Sequence, residues 1–188
     1  MSLIPEYEVG KAAQAVAFFA LKEGGKINVL KLTKLLYLAE REFMARYDTP
    51  MFYDYLVSMP SGPVVTITLN LLNNEDENDV WAKYVGPRNG LDIPVQDKIT
   101  FDDLDDLSIA DREILELLWK RFGKWDRFRL RNYTHQKENI PEWEDPRGSS
   151  TSISHEDVFK YLNKKNSKAL AKNLEEYRKT ARYLAETK

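Results

Sequence analysis

The chain has no cysteine. That absence excludes disulfides, thiolate nucleophiles and cysteine-based zinc sites together, and it fits a reducing compartment. Histidine is scarce as well, with two in 188 residues, so acid–base chemistry and imidazole metal sites have little to draw on. The net charge of −2 gives no global field for nucleic acid or acidic lipid; such binding would need a local patch. No stretch approaches the roughly 18 consecutive apolar residues of a membrane span. The start, Met-Ser-Leu-Ile-Pro-Glu-Tyr-Glu, lacks the basic residues and apolar run of a secretory leader. A phosphate-cradling glycine loop is missing, since Gly24-Gly25 reads as a helix end and the Gly86 to Gly90 region has no Lys-Ser/Thr pair. No serine stands in a sharp-elbow motif. These gaps point to one cytoplasmic, membrane-free domain over residues 1–188, with no catalytic, cofactor-binding or metal-binding residues and no cofactor.

What is present is helical periodicity, in a chain 43% hydrophobic and 31% charged. Its clearest helix is centred on Lys31-Leu-Thr-Lys-Leu-Leu-Tyr-Leu-Ala-Glu40, with Asn28 as the N-cap. Leu32, Leu35, Leu36, Ala39, Phe43 and Tyr47 recur on one face at i, i+3, i+4 spacing. Lys31, Lys34, Leu38 and Arg41 form a second stripe, which reads either as a solvated face with one stray leucine or as a docking surface. A first helix is expected from Val9 to Lys22, stopped by Gly24-Gly25, whose residues take left-handed backbone without steric cost. Further helices are expected at Val64–Leu72 behind Pro60-Ser-Gly-Pro63, at Ser108–Phe122 with Ser108 and Asp111 as a capping box, and at Asp126–Tyr133. Two more follow, from Ser154-His155 to Leu162 and from Ser167 onward. Met51 to Met59 reads as an irregular connection. Asn89-Gly90 suits a tight turn, so Val80–Val85 and Ile93–Phe101 are expected to form a β-hairpin. The fold class is thus mainly α: six or seven helices with one small hairpin, a core over about residues 9–162, and a C-terminal helix over 167–186 packed on that core or extending from it.

Two clusters invite chemistry. Asp102-Asp103 and Asp105-Asp106 suggest a divalent cation, but lack the glycine-kinked calcium-loop pattern and read better as a solvated loop before a helix. Residues 120–137 carry seven cations and one acid among Phe122, Trp125, Phe128 and Tyr133. That pattern fits single-stranded nucleic acid, hence a nucleic-acid-binding transcriptional regulator, or two amphipathic helices with solvated cations. A hydrolase built on His135 and the acidic run has no motif behind it.

Three segments carry a family resemblance. Lys31-Leu-Thr-Lys-Leu-Leu-Tyr-Leu-Ala-Glu40 resembles the Lys-Leu-x-Lys-Leu-Leu-Tyr helix of the Panacea domain, the SocA-like antitoxin family. Met59-Pro-Ser-Gly-Pro-Val-Val65 is similar to its Gly-Pro-Val helix entry, with Ser61 where an aromatic or His often precedes the glycine. Thr134-His135 followed by Pro141-Glu-Trp143 looks like its late His-to-Trp segment. The resemblance implies a non-enzymatic antitoxin of a bacterial or phage-borne toxin–antitoxin pair, acting by protein–protein binding. Its implied partners are a cognate toxin encoded next door and, in at least one branch, an ATP-dependent protease that takes the toxin from the antitoxin as adaptor. Some relatives add a DNA-binding module, and no such extra domain is evident here. With the resemblance in hand, Lys31, Lys34, Leu38 and Arg41, with Tyr37 at their boundary, are the expected toxin-binding residues of a monomer or homodimer. Gly62, Pro63, His135 and Trp143 read as the structural, turn-shaping part of the motif.

Overall fold

The computed structural model describes residues 4–187. Two helices form its centre: α1 (Val9–Lys22) and α2 (Val29–Tyr47). Residues 12–20 of α1 and 31–40 of α2 are buried around the whole helical circumference. Alanine at positions 12, 13, 15, 17 and 20 lets neighbours approach α1 closely. Around α2 stand α5 (Ile109–Phe122), α6 (Arg127–Thr134), α7 (His155–Tyr161) and the strands β1 (Lys26–Asn28) and β3 (Gly62–Val65). The short helices α3 (Thr66–Leu72) and α4 (Asp79–Tyr84) lie beside β3 and α1 respectively, and α8 (Ser167–Glu186) packs against α7.

Local signals place most helix ends. Asn28 Oδ1 accepts from Leu30 N at 3.1 Å, and the Asp126 carboxylate accepts from Phe128 N and Arg129 N. Ser108 and Asp111 form the expected reciprocal capping box. Gly24 and Gly25 have φ of +98° and +106°, as a left-handed helix end requires. Gly123 works differently: its φ is −57°, and a Cβ there would meet the Trp119 carbonyl at 2.6 Å and its ring at 2.7 Å. Close approach, not handedness, requires glycine at that position.

The β-structure differs from expectation. In place of one hairpin there are two small antiparallel sheets, and eight α-helices form among the described residues. Asp79–Tyr84 is helical because Asn78 caps it, accepting from Trp81 N at 3.0 Å, and its Trp81 and Tyr84 side chains are buried. The Gly90 turn is present with φ +60°, but β4 (Asp92–Pro94) pairs with β1, leaving one bridge, Val85 to Val95, of the expected hairpin. The actual hairpin joins β2 (Leu56–Met59) to β3 through Pro60-Ser61, with Met59 opposite Gly62. β5 (Thr151–Ile153) extends that sheet on the other side of β2. Val64 and Val65 therefore end a strand, and the helix expected from Val64 begins at Thr66.

The C-terminal helix is seated mainly by polar contacts. Its one buried side chain is Leu174, while Arg178 and Arg182 reach the buried Glu6 carboxylate at 3.6 and 3.1 Å. No helix among the described residues is long and apolar enough to cross a membrane.

Leu36 is fully buried at the centre and Leu184 is 55% exposed near the C-terminus. Leu36→Ala should cost about 2–5 kcal/mol by removing contacts that the surroundings cannot close over. Leu184→Ala should stay within about 0.5 kcal/mol. Urea unfolding of the two variants beside the parent checks both values.

Candidate partner-binding site

A helix buried on every side must satisfy its polar side chains inside the protein, and α2 carries many. Lys34 is fully buried and donates from Nζ to the Pro63 carbonyl at 2.9 Å. One turn on, the Tyr37 hydroxyl donates to Glu142 Oε1 at 2.8 Å. A further turn on, Arg41 Nε donates to the same oxygen at 2.6 Å and Nη2 reaches Oε2 at 3.4 Å. Lys31 binds Glu23 at 2.5 Å and the Gly123 carbonyl at 2.7 Å, tying together the C-terminal ends of α1 and α5. On the opposite side Glu40 accepts the backbone N–H groups of Met51, Phe52 and Asp54, while Asp54 accepts from Ile67 N and Thr68 N and so fixes the start of α3.

Gly62, Pro63, His135 and Trp143 meet at one end of this row. A Cβ on Gly62 would lie 2.9 Å from Thr134 Oγ1, 3.0 Å from His135 Cε1 and 3.1 Å from Lys34 Cε, and φ there is +98°. Backbone and space both require glycine. The His135 ring nitrogens face two carbonyls, Nδ1 to Arg131 at 2.6 Å and Nε2 to Pro60 at 3.1 Å. Its ring meets Trp143 edge-on with centroids 4.3 Å apart, and Trp143 Nε1 donates to the Met59 carbonyl at 3.2 Å. The β2–β3 turn, the end of α6 and the 141–144 segment are thus locked together over α2, with Pro60 and Ser61 exposed at the tip.

Burial sets the electrostatics. It pulls the Lys34 ammonium down to about 7, helped by the charge of Arg131. It pushes the Glu40 carboxyl up to about 8, against the pull of the Phe52 N–H in particular. The Tyr37 phenol is held well above its usual value by burial and by the neighbouring Glu142 carboxylate.

The expected open stripe is corrected by this geometry. Lys31, Lys34, Tyr37 and Leu38 are 5%, 0%, 0% and 7% exposed, and only Arg41 of the set retains partial access to solvent. The reason is that α6, β3 and the Glu142 segment cover that side of α2, which the spacing of the stripe could not reveal. Glu40, Asp54 and Glu142 are the polar residues that the reading of the chain missed. Glu40 and Glu142 do stand within the quoted motifs, where an acid beside Trp143 or at the end of the α2 run was a usable signal. Two acids of the run are engaged within the fold: Asp103 caps the turn at Thr100, and Asp105 accepts from Gln14 of α1 at 3.0 Å. Among the described residues no three His, Asp or Glu side chains come together as metal ligands.

The model of the family described as Antitoxin SocA-like, Panacea domain, matches residues 32–144. The chain belongs to that family. The matched segment begins in α2 and ends one residue after Trp143, so it contains the whole Lys34, Tyr37, Gly62, His135 and Glu142 assembly. No curated protein and no solved structure matches the chain. In this Panacea-domain chain the family motifs are three distant strips of sequence that fold into one hydrogen-bonded cluster.

Two predictions follow from the cluster. Gly62→Ala should destabilise by more than about 2 kcal/mol through strain and crowding, against about 1 kcal/mol for Gly90→Ala, whose added Cβ meets nothing within 4 Å; thermal and urea unfolding separate the two. For Lys34, folding lowers the pKa from 10.5 to about 7, so the unfolded chain holds the proton more firmly between those values. Its contribution is fully present above 10.5 and drains away as the pH falls through about 7. Lys34→Met removes this titration. Its stability relative to the parent should therefore climb by up to about 1.4 kcal/mol per pH unit on acidification through that window, and then level off. Denaturant unfolding across the window measures the slope.

Proposed function

We propose that this protein is the antitoxin of a bacterial or phage-borne toxin–antitoxin pair and neutralises its cognate toxin by direct, non-enzymatic binding in the cytoplasm. The observation that carries this reading is membership of the SocA-like antitoxin family over residues 32–144. The cluster supports a binding role: its polar groups are engaged with one another, as where Glu142 takes both Tyr37 and Arg41, and they brace the surface instead of presenting a reactive group. In this reading Lys31, Lys34, Tyr37 and Leu38 act from inside. They hold the β2–β3 tip, the end of α6 and the 141–144 segment in place for the toxin, with Arg41 as the member that reaches solvent. An adaptor role toward an ATP-dependent protease is an additional use of the same complex.

Expression of the adjacent open reading frame alone should arrest growth, and co-expression of this chain should restore it. Rescue should require stoichiometric amounts and a complex that survives size-exclusion chromatography. A harmless neighbour, or rescue by trace amounts with no complex, rejects the proposal and in the second case favours an enzyme. Arg41→Glu, which breaks the pairing to Glu142, should weaken rescue.

A further inference from the structure

Several features of the α6 surface run against local preferences on one face. Arg127 and Arg129 lie in the first turn of α6, at the positive end of the helix dipole, where cations are unfavourable. Arg127 and Arg131 are like charges at i, i+4, which costs a few tenths of a kcal/mol. Phe128 stands between them 50% exposed, with guanidinium carbons 4.8 and 5.5 Å from its ring centre. Between residues 120 and 137 the one acid is Asp126, and its carboxylate caps the helix. Elsewhere eleven described cations lie within 4.0 Å of a carboxylate, Lys22 with Glu116 and Lys164 with Asp48 among them. Among the described residues Lys120, Arg121, Lys124, Arg127, Arg129 and Arg131 have no carboxylate within 4 Å. Open grooves of about 480 and 280 Å³ flank the Trp125–Phe128 ridge.

Resting on the antitoxin reading, we propose that this face of α6 docks an acidic segment of the toxin, one that brings carboxylates to Arg127, Arg129 and Arg131 and an apolar side chain to Phe128. Arginine forks suit this task because they grip carboxylates in bidentate fashion. A desolvated aromatic with arginines around it is the composition of an interface anchor. Single-stranded nucleic acid fits less well. Base stacking needs free ring faces, yet Arg129 lies 4.0 Å from the Trp125 ring centre and two guanidiniums crowd Phe128. The basic face spans a helix of eight residues, or about 12 Å.

The test uses the full chain and a fluorescein-labelled short peptide in which Glu and Asp surround one Trp and one Leu. A lysine version of the peptide and a single-stranded thymidine oligonucleotide serve as comparisons. The acidic peptide should bind, more weakly as salt rises, and the lysine version should not. The double variant R127E/R131E should lose roughly tenfold or more in affinity, and Phe128→Ala several-fold. Arg127→Glu places an acid at a helix N-terminus, where it is favourable, so the melting temperature should hold or rise while binding falls. No binding by the parent chain, binding unchanged in the variants, or preference for the oligonucleotide each overturns the proposal. In the growth assay, rescue by R127E/R131E as complete as by the parent removes this surface and leaves the antitoxin reading standing. A parent chain that never rescues removes the antitoxin reading instead, and with it the toxin as occupant of this face.

Discussion

A helical stretch with solvent on no side and four ionisable side chains within it is the constraint from which the rest of this structure follows. Between Lys31 and Glu40 every residue of α2 is inside, including two lysines, a tyrosine and a glutamate. Each of these would carry a desolvation penalty of several kcal/mol if left alone. The remainder of the chain supplies what they need: carbonyls at Pro63 and Gly123, carboxylates at Glu23 and Glu142, and backbone N–H groups at Met51, Phe52 and Asp54. Irregular backbone therefore sits where regular structure would satisfy itself and leave α2 unpaired. The Met51–Asp54 segment turns inward because Glu40 draws three of its amides together. The 141–144 segment crosses α2 because Glu142 accepts two donors from successive turns of the helix.

That economy links the three motif-like segments of this chain. Lys34, Gly62-Pro63 and His135 are mutually dependent: the lysine needs the Pro63 carbonyl, the hairpin needs a residue without Cβ to pass beneath Thr134, and the histidine fastens the hairpin tip through Pro60. Trp143 closes the arrangement by meeting the His135 ring edge-on and donating to the Met59 carbonyl. Loss of the Lys34 ammonium leaves the buried Pro63 carbonyl without that donor, and a side chain at Gly62 meets Thr134, His135 and Lys34 together. The cluster is an internal brace, and what it braces is the exposed ridge formed by the hairpin tip and the end of α6.

Much of the fold was legible from short-range chemistry. Asn28, Asp126, the Ser108–Asp111 box and Gly24-Gly25 mark helix ends through atoms within a few residues of one another, and local sequence contains all of that information. Strands were not legible in the same way. Leu56–Met59 pairs with Thr151–Ile153 across about half of the chain, and β1 takes the partner expected for the 80–85 segment. Strand pairing is decided by which edges meet, and no local pattern records it. The α2 stripe was misread for a related reason. Helical spacing shows which residues share a face but not what covers that face, and cations at Lys31 and Lys34 look solvated until the carbonyls that bind them are known.

The contrast between α2 and α6 bears directly on function. Both helices carry charge where simple rules disfavour it, as natural proteins tend to do at a few special places. In α2 each violation meets an answering group inside the protein, so burial of charge there serves architecture. In α6 the arginines at the helix start and at i, i+4 have no carboxylate within 4 Å among the described residues, and Phe128 stays half-exposed. Those costs are small singly, a few tenths of a kcal/mol each, but they share one face and one sign. Even Lys34, whose ammonium burial pulls down to about 7, has the Pro63 carbonyl as its partner. The gathering of these small costs on one exposed surface is the ground for the proposed docking face.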